Sequence, residues 1–196
     1  MWDECQRWES DWWGDCTNTL DEDLKQLSYF KRLGFERTWN AKTNYVFDMQ
    51  GKRICDIGGG PSSFLLRCVN VKGFVLDPCE YPQWVYDRYA AANIGNSRQK
   101  GENIAEWVRD WMKPLDEVWM YNLLQHTENP ALIVQNAREL APVIRVFDWL
   151  EQGVLPGHPQ NLTEANMNHW FGQKGTVEAI NENGCVGSCY YGVFRY

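Results

Sequence analysis

Two acidic residues and three glycines stand where a nucleotide-like ligand could be held. Asp56 lies two residues before Gly58-Gly59-Gly60, Pro61-Ser62-Ser63 follows, and Asp77 comes 77 − 56 = 21 residues after Asp56. Glycines let the backbone turn sharply and approach a ligand that a Cβ would exclude. A carboxylate about twenty residues beyond such a turn is where sheets of this kind grip ribose hydroxyls. Proton chemistry falls to His126 and His158, two of only three histidines. An imidazole near neutral pKa can take a proton from an attacking hydroxyl. The competing reading of His126 is a helix-entry residue bonded to backbone, and that of His158, between Pro156 and Pro159, is an exposed loop residue. His169 falls in an expected helix and is read as structural. The spacings of His126 and His158 to Glu128 and Glu151 match no zinc pattern, so no metal is expected.

These residues need strands and helices to position them. Arg53 to Ile57 is a short β-prone run entering the glycines, Pro61 suits a first helical position, and Phe64-Leu65-Leu66 continues a helix expected to reach Cys68. Gly73 to Asp77 is the second strand, with a helix from Gln83 to Ile94 after it, a weak third strand near Arg98 to Glu102, and a short helix carrying Trp107, Val108 and Trp111. Glu117 to Leu124 is the fourth strand. Asn129-Pro130 opens a helix with Leu132, Ile133, Asn136 and Leu140 on its inner side, and Val143 to Trp149 is the fifth strand. Such β-then-α units argue a parallel sheet covered on both faces. The ending departs from that rule. Thr163 caps a helix through Phe171, and Thr176 to Ile180 and Cys189 to Arg195, joined through Asn181 to Gly184, are spaced for an antiparallel pair. Upstream, Leu20, Leu24, Leu27, Phe30 and Leu33 step by three or four after a candidate cap at Thr19, and Tyr45 to Phe47 leads into the first strand.

In such sheets ligands sit outside the carboxyl ends of the strands, which selects the glycine turn and the loops that follow Asp77, Glu102, Asn122 and Trp149. Asp56-Ile57-Gly58-Gly59-Gly60 resembles the nucleoside-binding motif of class I S-adenosylmethionine-dependent methyltransferases, where an acidic residue precedes Gly-x-Gly. Ser63 departs from the third glycine of a dinucleotide fingerprint. Leu124-Gln125-His126 through Pro130 is similar to the segment after strand four of many small-molecule methyltransferases, and Trp12-Trp13-Gly14-Asp15-Cys16 faintly resembles starts of bacterial and phage methyltransferases. The resemblance covers roughly residues 45–196. It implies an α/β, doubly wound, mostly parallel seven-stranded Rossmann-like sheet with an antiparallel C-terminal strand, and S-adenosyl-L-methionine as cofactor. Asp56, Gly58, Gly59 and Gly60 would face its methionine part, Asp77 its ribose hydroxyls, Glu102 with Asn103 the adenine edge, and Asn122 the same pocket, with His126 and His158 neighbours across the acceptor mouth.

The activity expected is methyl transfer to an oxygen or nitrogen of a small-molecule or glycan-like acceptor. Methylation of a nucleic acid or nucleotide, a nicotinamide-dependent oxidoreductase and a non-catalytic nucleotide-binding protein are the alternatives; Asp56, Ser63 and the antiparallel ending stand against the oxidoreductase. A chain of 196 residues with 44% hydrophobic and 23% charged residues is an ordinary globular composition. No stretch approaches a membrane span, and no secretory signal is expected in the acidic first twenty residues. Net charge of −7 disfavours nucleic-acid partners, which are bound through Lys and Arg on phosphates. Seven cysteines without a two-residue spacing fit a reducing, cytoplasmic setting. Trp2, Trp8, Trp12, Trp13 and Trp39, five of 11 tryptophans, precede the first strand, so residues 1–44 are expected as an aromatic-rich segment and helix that lies over the 45–196 domain as a lid.

Overall fold

The computed structural model describes residues 2–35, 46–108, 114–182 and 184–196. Trp39, Tyr45, Trp111, Asn183 and the expected boundary at residue 44 lie outside them. Helices α1 (Trp2–Trp13) and α2 (Thr19–Arg32) lead into β1 (Phe47–Asp48) and the central strand β2 (Arg53–Ile57). The chain continues through β3 (Cys68–Val69), β4 (Lys72–Leu76), α3 (Gln83–Ala91), β5 (Gly95–Ser97), α4 (Ile104–Trp107), β6 (Glu117–Tyr121), α5 (Pro130–Leu140), β7 (Val143–Trp149), α6 (Glu164–Phe171), β8 (Thr176–Glu182) and β9 (Cys185–Arg195). Seven strands form one sheet in the order β5-β4-β2-β6-β7-β9-β8. The pairs from β5 to β7 are parallel, and β9 runs antiparallel to both β7 and β8. The expected sheet is therefore present, with its two last strands as an antiparallel hairpin.

Alternation along each strand divides the core between the two faces. Cys55, Ile57, Val118 and Met120 pack with Ile133, Val134 and Ala137 of α5 and with Met167 and Phe171 of α6. Ile54, Trp119, Tyr121 and Phe147 pack instead with Tyr29 and Phe30 of α2, with Leu33 just past its end, and with Val85 and Tyr89 of α3. Since α2 buries Tyr29 and Phe30 in this cluster, it is part of the domain's core rather than an appendage. Buried Arg145 anchors its end, donating to the Leu33 carbonyl and to Glu117 at 2.7 Å.

Four local expectations need correction. No α-helix follows the glycine turn: Gly60–Ser62 and Phe64–Arg67 are 3₁₀ turns separated by extended Ser63 (ψ 141°), and Cys68 belongs to β3, which pairs with β1. Ser63 breaks the helix because its hydroxyl donates to Asp56 (2.6 Å) and accepts from the Leu65 amide (3.2 Å). The missing third glycine thus coincides with a missing helix. The third strand is Gly95–Ser97 rather than 98–102, and residues 101–103 form a 3₁₀ turn. Helix α5 buries Ile133, Val134 and Ala137 while Leu132 is exposed, which rotates its inner face from the expected one. Thr19 is the first residue of α2, and the capping position belongs to Asn18, whose side chain makes no capping bond.

Candidate functional site

The sheet reverses direction of growth between β2 and β6, and a cavity of about 370 Å³ opens at their carboxyl ends, the place such sheets hold ligands. Gly58 and Gly60 bend its floor with φ of 70° and 56°, a left-handed conformation natural to glycine. A Cβ on Gly58 would overlap Leu123 Cδ1, so glycine also lets the β2 and β6 loops meet. Asn122, beside Leu123, is left-handed too (φ 53°) and accepts from the Gln125 amide at 2.8 Å.

Asp56, Gly58, Gly59, Gly60, Asp77, Asn122, His126 and His158 all line this cavity. Asp56 is almost fully buried. Its Oδ2 takes the Ser63 hydroxyl, but its buried Oδ1 has no hydrogen-bond partner among the described residues. Burial pushes its pKa up to about 7, with the Asp77 charge adding to the rise against the Ser63 bond. Asp77 is more engaged than its place at a strand tip implied. Oδ2 accepts from the Gly60 amide (3.0 Å), and Oδ1 accepts from the Cys79 amide (2.9 Å) and the Tyr81 hydroxyl (2.9 Å). Three of about four carboxylate lone-pair positions are thus spent on holding the glycine turn against the next loop.

Glu102 and Asn103 do not line the cavity. Glu102 accepts from the Asn129 amide at 3.0 Å, its carbonyl takes the Asn136 amide at 2.9 Å, and Asn103 reaches Gln99. These residues pin the turn before α4 to the start of α5, and only neighbouring Gly101 reaches the cavity wall. A Cβ there would lie 2.7 Å from Ile57 and 3.0 Å from Ile133.

The fourth wall is α1, which brings Gln6, Trp8, Glu9, Trp12 and Trp13 to the cavity. The Trp13 ring lies 3.6 Å from the Cβ position of Gly60, and Trp8 packs on Gly157 so closely that a Cβ would stand 2.6 Å from its Cδ2. Gln6 accepts from the Cys79 thiol, and Cys5 donates to the carbonyls of His126 and Gly157. Glu9 places Oε1 2.6 Å from His126 Nδ1, which also lies 2.8 Å from the Gly157 carbonyl.

That carboxylate changes the expected chemistry of His126. Burial alone would lower its pKa, but Glu9, with the Cys5 contact and Asp148 in support, raises it to about 10. Glu9 thus favours the charged form of His126, away from the general base near 6.5 that was expected, while the Gln125 side-chain nitrogen stands 3.2 Å from His126 Nε2. His158 moves the other way, to about 4, because of burial and the His126 charge beside it. The two rings are perpendicular with centroids 4.6 Å apart, so the loops after β6 and β7 do bring them together. Sequence reasoning missed Glu9 and Asp148. Asp148, fully buried, accepts from the Leu123 (3.2 Å) and Leu124 (2.7 Å) amides and so fixes the loop that carries His126.

No protein-family model and no curated protein matches the sequence. Solved structures match at low identity. A S-adenosylmethionine-dependent methyltransferase from Aquifex aeolicus is 15% identical with a TM-score of 0.56, over 92% of this chain and 94% of that one. A chain from the complex of the Haloferax volcanii Trm112 methyltransferase activator with a methyltransferase gives 14% and 0.63, over 98% and 96%. The plantazolicin methyltransferase BamL, solved with a triazolic desmethylPZN analog and SAH, gives 12% and 0.57, over 97% and 89%. With its strand order and antiparallel ending, the chain has the fold of the class I S-adenosylmethionine-dependent methyltransferases.

Proposed function

We propose that this chain is an S-adenosylmethionine-dependent methyltransferase acting on an oxygen or nitrogen of a small-molecule or glycan-like acceptor. The observation that carries this reading is buried Asp56, whose Oδ1 faces no partner among the described residues at the glycine turn. An orphaned buried carboxylate oxygen costs free energy unless a donor, best a cation, meets it. The amino group of the cofactor's methionine part is such a cation. Asp77 would take the ribose hydroxyls through its remaining lone pair and by exchanging one of its present bonds. Asp56, Asp77, Glu9 and Glu22 outnumber Lys25 and His126 along the cavity wall, which suits a cationic sulfonium ligand.

Bound S-adenosylmethionine would supply an electrophilic methyl group. The chain's own part is to hold the acceptor in line with it, exclude water, and receive a proton where the nucleophile is a hydroxyl. Exclusion of water falls to α1, which acts as a lid across both the glycine turn and the histidines. Trp8, Trp12 and Trp149 give the acceptor side apolar, stackable walls. The cavity of about 370 Å³ under that helix is at the small end of small-molecule sites, roughly 300–1,000 Å³, and has to hold the cofactor as well, which favours a compact acceptor over a polymer.

The test is label transfer from methyl-labelled S-adenosylmethionine to fractionated small molecules and oligosaccharides. Labelled product that depends on Asp56 supports the reading. Binding of NAD with none of S-adenosylmethionine would overturn it in favour of an oxidoreductase.

A further inference from the structure

The cavity of about 370 Å³ has to hold both S-adenosylmethionine and the reacting part of the acceptor, so the rest of an acceptor must lie across its mouth. The lining residues that are themselves exposed are Trp8, Trp12, Gln152, Gly184 and Val186, which places the opening between α1, the loop after β7 and the turn of the β8–β9 hairpin. A closed ring of contacts surrounds it. Trp8 and Trp12 stack with their planes 5° apart, Lys25 Nζ lies 5.9 Å from the centre of the Trp12 ring, and the Lys25 stem stands 3.9 Å from the Cβ position of Gly184. Beyond the hairpin turn, the Cβ position of Gly187 is 3.5 Å from Trp149 and 3.6 Å from Gln152 Nε2. The loop then returns through the turn closed by the Leu155–His158 bridge, whose His158 ring stands edge-on to Trp8 with centroids 6.0 Å apart.

This ring is apolar where it meets solvent. Of the 11 large hydrophobic side chains exposed among the described residues, five, Trp8, Trp12, Val154, Leu155 and Val186, stand on it, with accessibilities from 37% to 70%. Single exposed apolar residues are ordinary, but a cluster around one opening marks a binding surface. We propose that the rim is a subsite for a hydrocarbon tail, so that the acceptor is an amphiphile whose compact polar head enters the cavity while its chain lies across Trp8, Trp12, Leu155 and Val186. The proposal rests on the methyl-transfer reading and deepens it by naming the acceptor's class. Indole faces cover hydrocarbon well while their edges stay in water. The Lys25 ammonium on the ring is paired with Glu22, and the net charge of −7 works against an anionic ligand, so an uncharged amphiphile fits best. The same rim explains how a small cavity can serve an acceptor larger than itself.

The experiment titrates the full chain with methyl, hexyl and octyl glucosides, each below its micelle concentration, by calorimetry and by the ¹³C-methyl signals of its valines and leucines. Full burial of one methylene is worth roughly fourfold in affinity. A chain lying on a half-open rim should gain about twofold per methylene, so the hexyl glucoside should bind about thirtyfold tighter than the methyl glucoside. The methyl signals of Val154, Leu155 and Val186 should shift, and that of Val177, exposed at the far end of β8 and outside the cavity lining, should not. Val186→Ser and Leu155→Ser should each weaken the octyl glucoside by at least about threefold, with Val177→Ser as the silent control; the chain-length series decides the matter if a variant fails to fold. Affinity that ignores chain length, or shifts that include Val177 equally, would overturn the proposal. Binding to phosphatidylcholine vesicles with no response to the soluble glucosides would give the rim to a membrane surface instead, and a dimer broken by Leu155→Ser would give it to a second copy of the chain. These readouts need no cofactor, so a failure to bind S-adenosylmethionine would defeat the methyl-transfer reading separately.

Discussion

Gly58→Ala is the substitution whose cost the geometry specifies best. The residue has φ of 70°, and a Cβ there would overlap Leu123 Cδ1 and lie 3.3 Å from its Cγ. Left-handed backbone costs a residue with a Cβ about 1–2 kcal/mol. Pushing Leu123, only 8% exposed and part of the core under α5, adds an overpacking cost of about 1–3 kcal/mol. The sum, about 2–5 kcal/mol, should lower Tm by roughly 4–20 °C at the ~2–4 °C per kcal/mol expected for a domain of this size. Gly51→Ala is the matched control. It shares the positive φ (83°) but has nothing within 4 Å of the added Cβ, so it should cost the strain alone, roughly 2–8 °C. Differential scanning calorimetry of both variants separates the two contributions. Because Leu123 also lines the cavity, only Gly58→Ala should weaken S-adenosylmethionine binding, by tenfold or more, about 1.4 kcal/mol. Equal Tm losses in the two variants would refute the close approach of the β2 and β6 loops on which the site depends.

Stability should fall as pH rises from about 6.5 to 8.5. The His126 pKa is raised to about 10, so its contribution is fully present below the unfolded value near 6.5 and is lost as pH climbs through 10. Over these two pH units the loss reaches about 2–3 kcal/mol, or roughly 5–10 °C in Tm, before Cys55 and Cys79, whose thiols burial also pushes up, contribute above that range. The slope should flatten in Glu9→Gln; an identical slope would remove the ion pair from the account. Asp77→Ala should weaken S-adenosylmethionine at least tenfold, a charge-assisted contact of about 1.5–3 kcal/mol. It should also loosen the Gly60 and Tyr81 contacts, which limited proteolysis near residues 77–81 would report, and unchanged affinity would place the ribose elsewhere.

Strands β2 and β7 were legible to the residue because Ile54 and Ile57, and Val143, Ile144, Val146, Phe147 and Trp149, are β-branched or aromatic. The edge strand β5 was not. Gly95-Asn96-Ser97 has no strand propensity of its own and is a strand only because it pairs with Phe74–Leu76 of β4. The helix expected after Pro61 failed for a chemical reason visible only in three dimensions, the Ser63 hydroxyl bonded to Asp56. In the site, the glycines stood out because a left-handed turn dictates residue type there, and Asp56 by its place two residues before them. Glu9 could not be read, since its meaning comes from His126, more than a hundred residues away, and α1 showed in the sequence only as an aromatic, acidic stretch. Asp148 looked like one more strand residue until its carboxylate met the Leu123 and Leu124 amides.

The central claim is that the cavity at the ends of β2, β4 and β6 binds S-adenosylmethionine through Asp56. Isothermal titration of the full chain with S-adenosylmethionine, in parallel with NAD, addresses it most directly. The expected result is saturable one-to-one binding of S-adenosylmethionine with Kd below about 100 μM, roughly −5.5 kcal/mol or better, no heat with NAD, and at least a tenfold loss of affinity in Asp56→Asn with the fold intact. Binding of S-adenosylmethionine that Asp56→Asn leaves unchanged, or no binding by a folded wild-type chain, would contradict it.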